Sequence, residues 1–321
     1  MAWMPVLPEA DPCAPAPGEC VLMPLTHLAV ICVTGADAMA FLHGQLSNDV
    51  QGLAPGASLL AGYCNAKGRL YALPRLWRAG EDWQLCLPAD TAETVLKRLR
   101  MFVLRSRVTL ALRADLTLLG VAGEGAAACL AQAGLAVPGA LNAVAQQQTV
   151  TVLRWPGSPE RFLVCVGDGA APALWTALSA GACPAPAALW RLLDIDAGLP
   201  NIYAPTLEAF VPQMVNLELV DGVSFRKGCY PGQEIVARMH YLGKASRRMY
   251  RLGAAGSPPA PGTPLLDAAG REVGNVVDAQ AADNSGCRLL AVVQVTAADG
   301  ALRLATGEAL HRLTLPYALE P

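Results

Sequence analysis

The chain has 321 residues, 53% of them hydrophobic and 16% charged, with 24 basic against 26 acidic side chains. That length predicts two or three domains with room for a large core. The net charge of -2 says nothing about nucleic acid, and no apolar run approaches the roughly 18 residues that cross a bilayer, so a soluble protein is expected.

Residues 1–20 carry prolines at 5, 8, 12, 15 and 17 and no Lys or Arg. This composition predicts a disordered leader that is neither a secretory signal nor a basic transit peptide, and a cytoplasmic address. The run from Val21 to Val33 predicts a buried strand. Thr34-Gly35-Ala36-Asp37 then starts a helix whose Met39, Phe41, Leu42 and Leu46 keep helical spacing. Ser58 to Cys64 and Leu70 to Arg78 read as strands joined by a tight turn at Asn65-Ala66-Lys67-Gly68, with Trp83 to Leu87 extending the sheet. In Thr91 to Phe102, Val95, Leu96, Leu99 and Phe102 share one face of a helix, with Lys97, Arg98 and Arg100 opposite.

The same grammar then repeats: strand Leu116 to Val121, helix Ala126 to Ala133, strands Thr149 to Trp155 and Arg161 to Val166, and helix Ala171 to Ser179. Two such rounds predict an α+β fold, residues 21–115 forming one unit and 116–246 the next. A helix from Ala187 to Ala197 ends at Gly198. From residue 247 short strands broken by Gly and Pro predict a C-terminal antiparallel β-barrel, with Gly256 to Pro264 as a loop within it.

Ten cysteines lie at 13, 20, 32, 64, 86, 129, 165, 183, 229 and 287 without a Cys-x-x-Cys pair, and the four histidines are scattered. No zinc pattern, disulfide framework or stable metal is expected. The densest chemistry lies in Lys227-Gly228-Cys229-Tyr230-Pro231-Gly232-Gln233-Glu234, where Arg226 and Lys227 precede a thiol and a nearby cation favours thiolate. The same glycines and proline would also mark a strand-to-helix turn, with Cys229 as a small buried hydrophobe. Between 226 and 251, Arg226, Lys227, Arg238, Lys244, Arg247, Arg248 and Arg251 face Glu234 alone, a surplus that suits an anionic ligand or a solvated face.

The stretches Phe210 to Leu217 and Val223 to Arg238, with Thr34 to Asp37, Asn65 to Gly68 and Ile195 to Pro200, resemble the YgfZ-type folate-binding proteins. These are relatives of the glycine-cleavage T-protein, an aminomethyltransferase. The resemblance implies a folate-binding core of two intertwined ferredoxin-like units plus the barrel. It also implies support of iron–sulfur cluster enzymes, including a tRNA-modifying methylthiolase, through transient contacts by a monomer.

The implied cofactor is tetrahydrofolate or a derivative, with or without a polyglutamate tail. Trp190 falls where the family has its pocket tryptophan, and Leu28 near a second aromatic position; without the family, Trp190 would read as core. Lys227 and Arg238 are expected to hold anionic groups, Gly228 to permit close backbone approach, and Gln233 and Glu234 to complete the ligand contacts. Cys229 with Lys227 is expected to carry redox or cluster-related chemistry. In aminomethyltransferases the turn is followed by two aspartates; here those positions read Tyr71-Ala72-Leu73-Pro74, so glycine-cleavage activity is expected to be absent. A folate-dependent one-carbon transferase with another donor is the alternative. Direct RNA binding is not expected, because few aromatics interleave the basic strip.

Overall fold

The computed structural model describes Pro5, residues 19–243, 245–282 and 286–319, so the predicted leader lies almost wholly outside the described residues. In chain order the first half contains β1 (Cys20–Pro24), β2 (Leu28–Thr34), α1 (Ala38–Gln45), β3 (Ser58–Leu60), β4 (Tyr63–Cys64), β5 (Leu70–Ala72), β6 (Arg75–Ala79), β7 (Asp82–Pro88), α2 (Ala89–Arg100) and β8 (Thr109–Leu112). Next come β9 (Leu116–Gly123), α3 (Ala126–Gln132), β10 (Val144–Gln147), β11 (Val150–Trp155), β12 (Arg161–Gly167), α4 (Ala171–Ser179), β13 (Cys183–Pro184), α5 (Ala187–Asp196) and α6 (Gln233–Leu242). The last stretch holds β14 (Arg247–Ala255), β15 (Pro264–Leu266), β16 (Glu272–Ala282), β17 (Gly286–Gln294), β18 (Leu302–Leu304) and β19 (Ala309–Leu313).

Two compact units interleave along the chain. One comprises Met1–Met39, Gly52–Leu59 and Arg75–Leu193; the other comprises Ala40–Gln51, Leu60–Pro74 and Asp194–Pro321. The first holds a six-stranded sheet of order β10-β11-β12-β9-β1-β13 and a five-stranded sheet of order β3-β6-β7-β2-β8. The expected single strand over Val21 to Val33 is divided. Leu25 to His27 turn the chain, with Thr26 N–H donating to Pro24 and Leu28 N–H to Leu25, so β1 enters one sheet and β2 the other. That crossing intertwines the two ferredoxin-like layers. β9 and β12 are buried on both faces, which is why they read as apolar runs rather than alternating strands.

α2 covers the five-stranded sheet with Thr91, Ala92, Val95, Leu96 and Leu99. Full burial of each large aliphatic there contributes about 1.5–3 kcal/mol. Phe102 was expected on that face but is 48% exposed, because the helix ends at Arg100. Met39 is likewise exposed, in the first turn of α1, whereas Phe41, Leu42 and Leu46 are buried.

In the second unit, β14-β17-β16-β15-β18-β19 close the antiparallel barrel, around Leu252, Leu265, Val276, Leu289, Ala291 and Leu304. Beside it lies a core of Leu70, Ile195, Phe210, Leu217, Met249, Val277 and Val292. The predicted strands flanking Asn65–Gly68 are each divided, one into β3 and β4 and the other into β5 and β6, because the chain leaves strand geometry at Ala61-Gly62 and Leu73-Pro74, where Pro74 has no N–H to donate.

Candidate functional site

Within the second unit, the signature segment is built on α1. That helix ends with unpaired carbonyls, as every helix does. The Lys227 ammonium donates to the carbonyls of His43 and Leu46, the latter at 2.5 Å, and lies 4.9 Å from the centre of the Tyr230 ring. A cation is favoured at the negative end of the helix dipole, so Lys227 caps α1. Burial leaves it 9% exposed and lowers its pKa to about 8, against the opposing pull of Asp49 and Cys229. The position expected to hold a ligand anion is therefore turned inward and engaged by the backbone.

Ser47 and Asn48, which the sequence reading passed over, tie the start of the segment down. Ser47 Oγ accepts from Gly62 N–H and donates to the Gly222 carbonyl, both at 2.7 Å, while its own carbonyl accepts from Ser224 N–H at 3.0 Å. Asn48 Nδ2 donates to the carbonyls of Leu60 and Asp221 at 2.7 and 2.6 Å. At the far side Gly232 adopts φ +79°, caps α6, and touches the Asn65–Gly68 turn; a Cβ there would stand 2.5 Å from Asn65 O and from Gly68 Cα. The turn itself is closed by Gly68 N–H to Asn65 O at 2.9 Å, with Gly68 at φ +70°.

Between these anchors Gly228 and Cys229 are exposed, flanked by buried Lys227 and Tyr230. Cys229 is a free thiol. The alternative in which it is a small buried hydrophobe does not describe this structure. Gln233 is half-buried in the first turn of α6, and Glu234 and Arg238 are exposed one turn apart.

Much of the expected basic surplus is paired. Arg248 bonds Glu218 and the Gln213 carbonyl, and Arg251 and Arg288 both grip Asp196 at 2.6 Å. Arg226 and Arg238 stay exposed, and Lys244 lies outside the described residues. Phe225 stacks on His240 with centroids 3.7 Å apart and planes 10° from parallel, and Tyr241 meets His240 edge-on at 4.8 Å. This stack borders a groove of about 820 Å³ lined also by Met239 and Tyr250. Only the fold reveals it, since Phe225 is 15 residues from its partner.

Tyr71, Ala72, Leu73 and Pro74 are all buried, and none supplies a carboxylate. The carboxylate that does meet the turn is Glu208, whose Oε2 accepts from Asn65 Nδ2 at 2.7 Å. No sequence signal pointed to it.

Trp190 and Leu28 belong to the first unit. Trp190 is fully buried in α5, with Arg161 4.8 Å over its ring, Trp155 5.5 Å away and Gly120 in such close contact that a Cβ would lie 2.6 Å from the indole. Its Nε1–H has no hydrogen-bond partner among the described residues, and neither do the two ring nitrogens of His27, next to half-buried Leu28. Burial, and then the charge of Arg191, lower His27 to a pKa of about 3. The 27–28 and 190–191 segments thus converge, and they leave three buried polar atoms unpaired where native structures leave few. Trp190 offers an indole N–H rather than an open ring face.

Among the described residues no group of His, Cys, Asp or Glu has metal-holding geometry, and no helix is long and apolar enough to cross a membrane.

No family model matches the chain. The tRNA-modifying protein YgfZ of Cronobacter sakazakii is 35% identical over 329 residues, covering 100% of this chain and 99% of that protein. Those of Yersinia pseudotuberculosis and Escherichia coli K12 are each 33% identical, over 99% and 100% of this chain and 99% and 100% of theirs. The glycine cleavage system aminomethyltransferase T of Bartonella henselae superposes with a TM-score of 0.74 over 94% of this chain and 86% of its own, at 21% identity, which establishes a shared fold. With a third of its residues shared along its full length, the chain belongs to the YgfZ family.

Proposed function

We propose that the protein binds tetrahydrofolate or a derivative and supports the assembly or repair of iron–sulfur clusters in client enzymes, among them a tRNA-modifying methylthiolase. The observation that carries this reading is the display of Cys229: an exposed free thiol between two buried anchors, in the segment that resembles the family signature. Holding a reactive group on a clamped loop keeps it available without the entropic cost of ordering it at each encounter. The relatives' name, tRNA-modifying protein, agrees with a client in that chemistry.

For folate, the fitting feature is the set of unpaired atoms at Trp190 and His27, which a pterin edge with both donors and acceptors can satisfy. Leu28, half-buried in the same unit, supplies apolar contact. When bound, the folate would supply one-carbon or redox chemistry. The chain's own residues bind and orient it, and Cys229 acts as nucleophile or transient ligand toward the client.

With no carboxylate at 71–74, and Glu208 already accepting from Asn65, glycine-cleavage turnover is not expected. The test is complementation of cells lacking the relative. Wild type restores methylthiolated tRNA and Cys229→Ser does not; full restoration by the variant overturns the role of the thiol.

A further inference from the structure

A second pair of thiols lies in the first unit. Cys20 opens β1 and pairs with Gly123 of β9. A Cβ on Gly125, the N-cap of α3, would lie 3.7 Å from Cys20 Cβ. Cys129 sits four residues on from Gly125, with its N–H donating to the Gly125 carbonyl at 2.9 Å, so it lies on the same helix face one turn along. The two thiols are close enough to influence one another and share one buried cluster with Leu22, Leu130 and Ala182. Cys129 Sγ also donates to the Leu178 carbonyl at 3.4 Å.

Strand register settles which thiols can join. Cys183 pairs in parallel with Val21, and strand alternation sends it to the face opposite Cys20, where it is exposed. Cys20 and Leu22 face the side that α3 covers. We infer that Cys20 and Cys129 form a dithiol site that closes to an intramolecular disulfide, with a low-molecular-weight disulfide as its co-reactant.

One thiol, as thiolate, attacks the small disulfide and releases one small thiol. The second thiol attacks the mixed disulfide and releases the other. One protein S–S bond forms, both protons leave with the small thiols, and the two electrons pass to the reagent. Closure ties the N-terminal strand to α3 across a loop of roughly 110 residues, the kind of long loop whose constraint stabilises most. Burial raises the Cys20 thiol to about 12, so closure is slow at neutral pH and speeds up as pH rises.

The test is incubation of the full chain with oxidised glutathione, followed by thiol counting, non-reducing peptide mapping and thermal melting. Expected are a cross-linked peptide joining Cys20 to Cys129 and a rise in Tm of at least about 5 °C that dithiothreitol reverses. The cross-link should persist in Cys183→Ser and Cys229→Ser and vanish in Cys129→Ala. The inference fails if both thiols stay free while Cys183 and Cys229 take up glutathione, or if the cross-link joins other cysteines. Should Cys129→Ala fold poorly, the wild-type map alone decides. Because Cys229 takes no part, this result stands apart from the complementation test.

Discussion

The two glycines of the signature segment look alike in sequence and are predicted to behave in opposite ways. Gly232 adopts φ +79°, and its added Cβ would meet Asn65 O at 2.5 Å, Gly68 Cα at 2.5 Å and Gly68 N at 2.6 Å. All three are backbone atoms of a closed turn and cannot swing aside. The left-handed conformation costs an alanine about 1–2 kcal/mol, and overpacking of this kind typically costs about 1–3 kcal/mol more. Gly232→Ala should therefore lose about 2–5 kcal/mol, a fall in Tm of roughly 5–15 °C for a unit of this size. Gly228 has no atom within 4 Å of its would-be Cβ and no left-handed φ, so Gly228→Ala should stay within about 1 kcal/mol of wild type. Differential scanning calorimetry of the two variants beside wild type reads this directly. A wild-type melt for Gly232→Ala, or equal damage from Gly228→Ala, would refute the clamp that holds the loop.

Burial at Lys227 sets a second expectation. Its pKa falls from 10.5 to about 8 on folding, so between those values the unfolded chain holds the proton more tightly and stability rises with pH. The gain across that window is about 3 kcal/mol, and Lys227→Met should abolish the slope in pH-dependent urea unfolding; an unchanged slope would mean that the ammonium is solvated. His27 acts on the acid side. With its folded pKa lowered from 6.5 to about 3, its contribution is complete above pH 6.5 and is lost as pH falls toward 3, so His27→Gln should flatten that limb of the stability profile. Replacing Trp190 by Phe removes the unpaired indole N–H and should weaken tetrahydrofolate about five- to tenfold by titration calorimetry. Equal affinity would remove Trp190 from the ligand's contacts.

The elements that periodicity fixes were largely legible. α4 falls on the predicted residues, and α2 differs at its ends, because burying one face writes itself into residue spacing. What spacing does not encode stayed hidden. The turn at Leu25–His27 splits the run Val21 to Val33 between two sheets; Pro24, Thr26 and His27 were its one break, and the strands on both sides want the same residue types. β10 is a short edge segment and β18 a three-residue strand between β15 and β19, both too short to show a period that sets them apart from loops.

At the site, the density of special residues around Cys229 did mark an exposed loop. The burial of Lys227 was not legible, because its partners are carbonyls 184 and 181 residues away, and backbone acceptors leave no trace in residue identity. Glu208 and the Phe225–His240 stack were missed for the same reason: they become neighbours only after the chain folds.

The central claim, that the displayed thiol acts on clients while folate is held elsewhere in the chain, meets its most direct test in one paired measurement on Cys229→Ser. Tetrahydrofolate affinity of the purified variant is compared with the methylthiolated tRNA it restores in cells lacking the relative. The account predicts wild-type affinity with no restoration. Restoration at the wild-type level would contradict it.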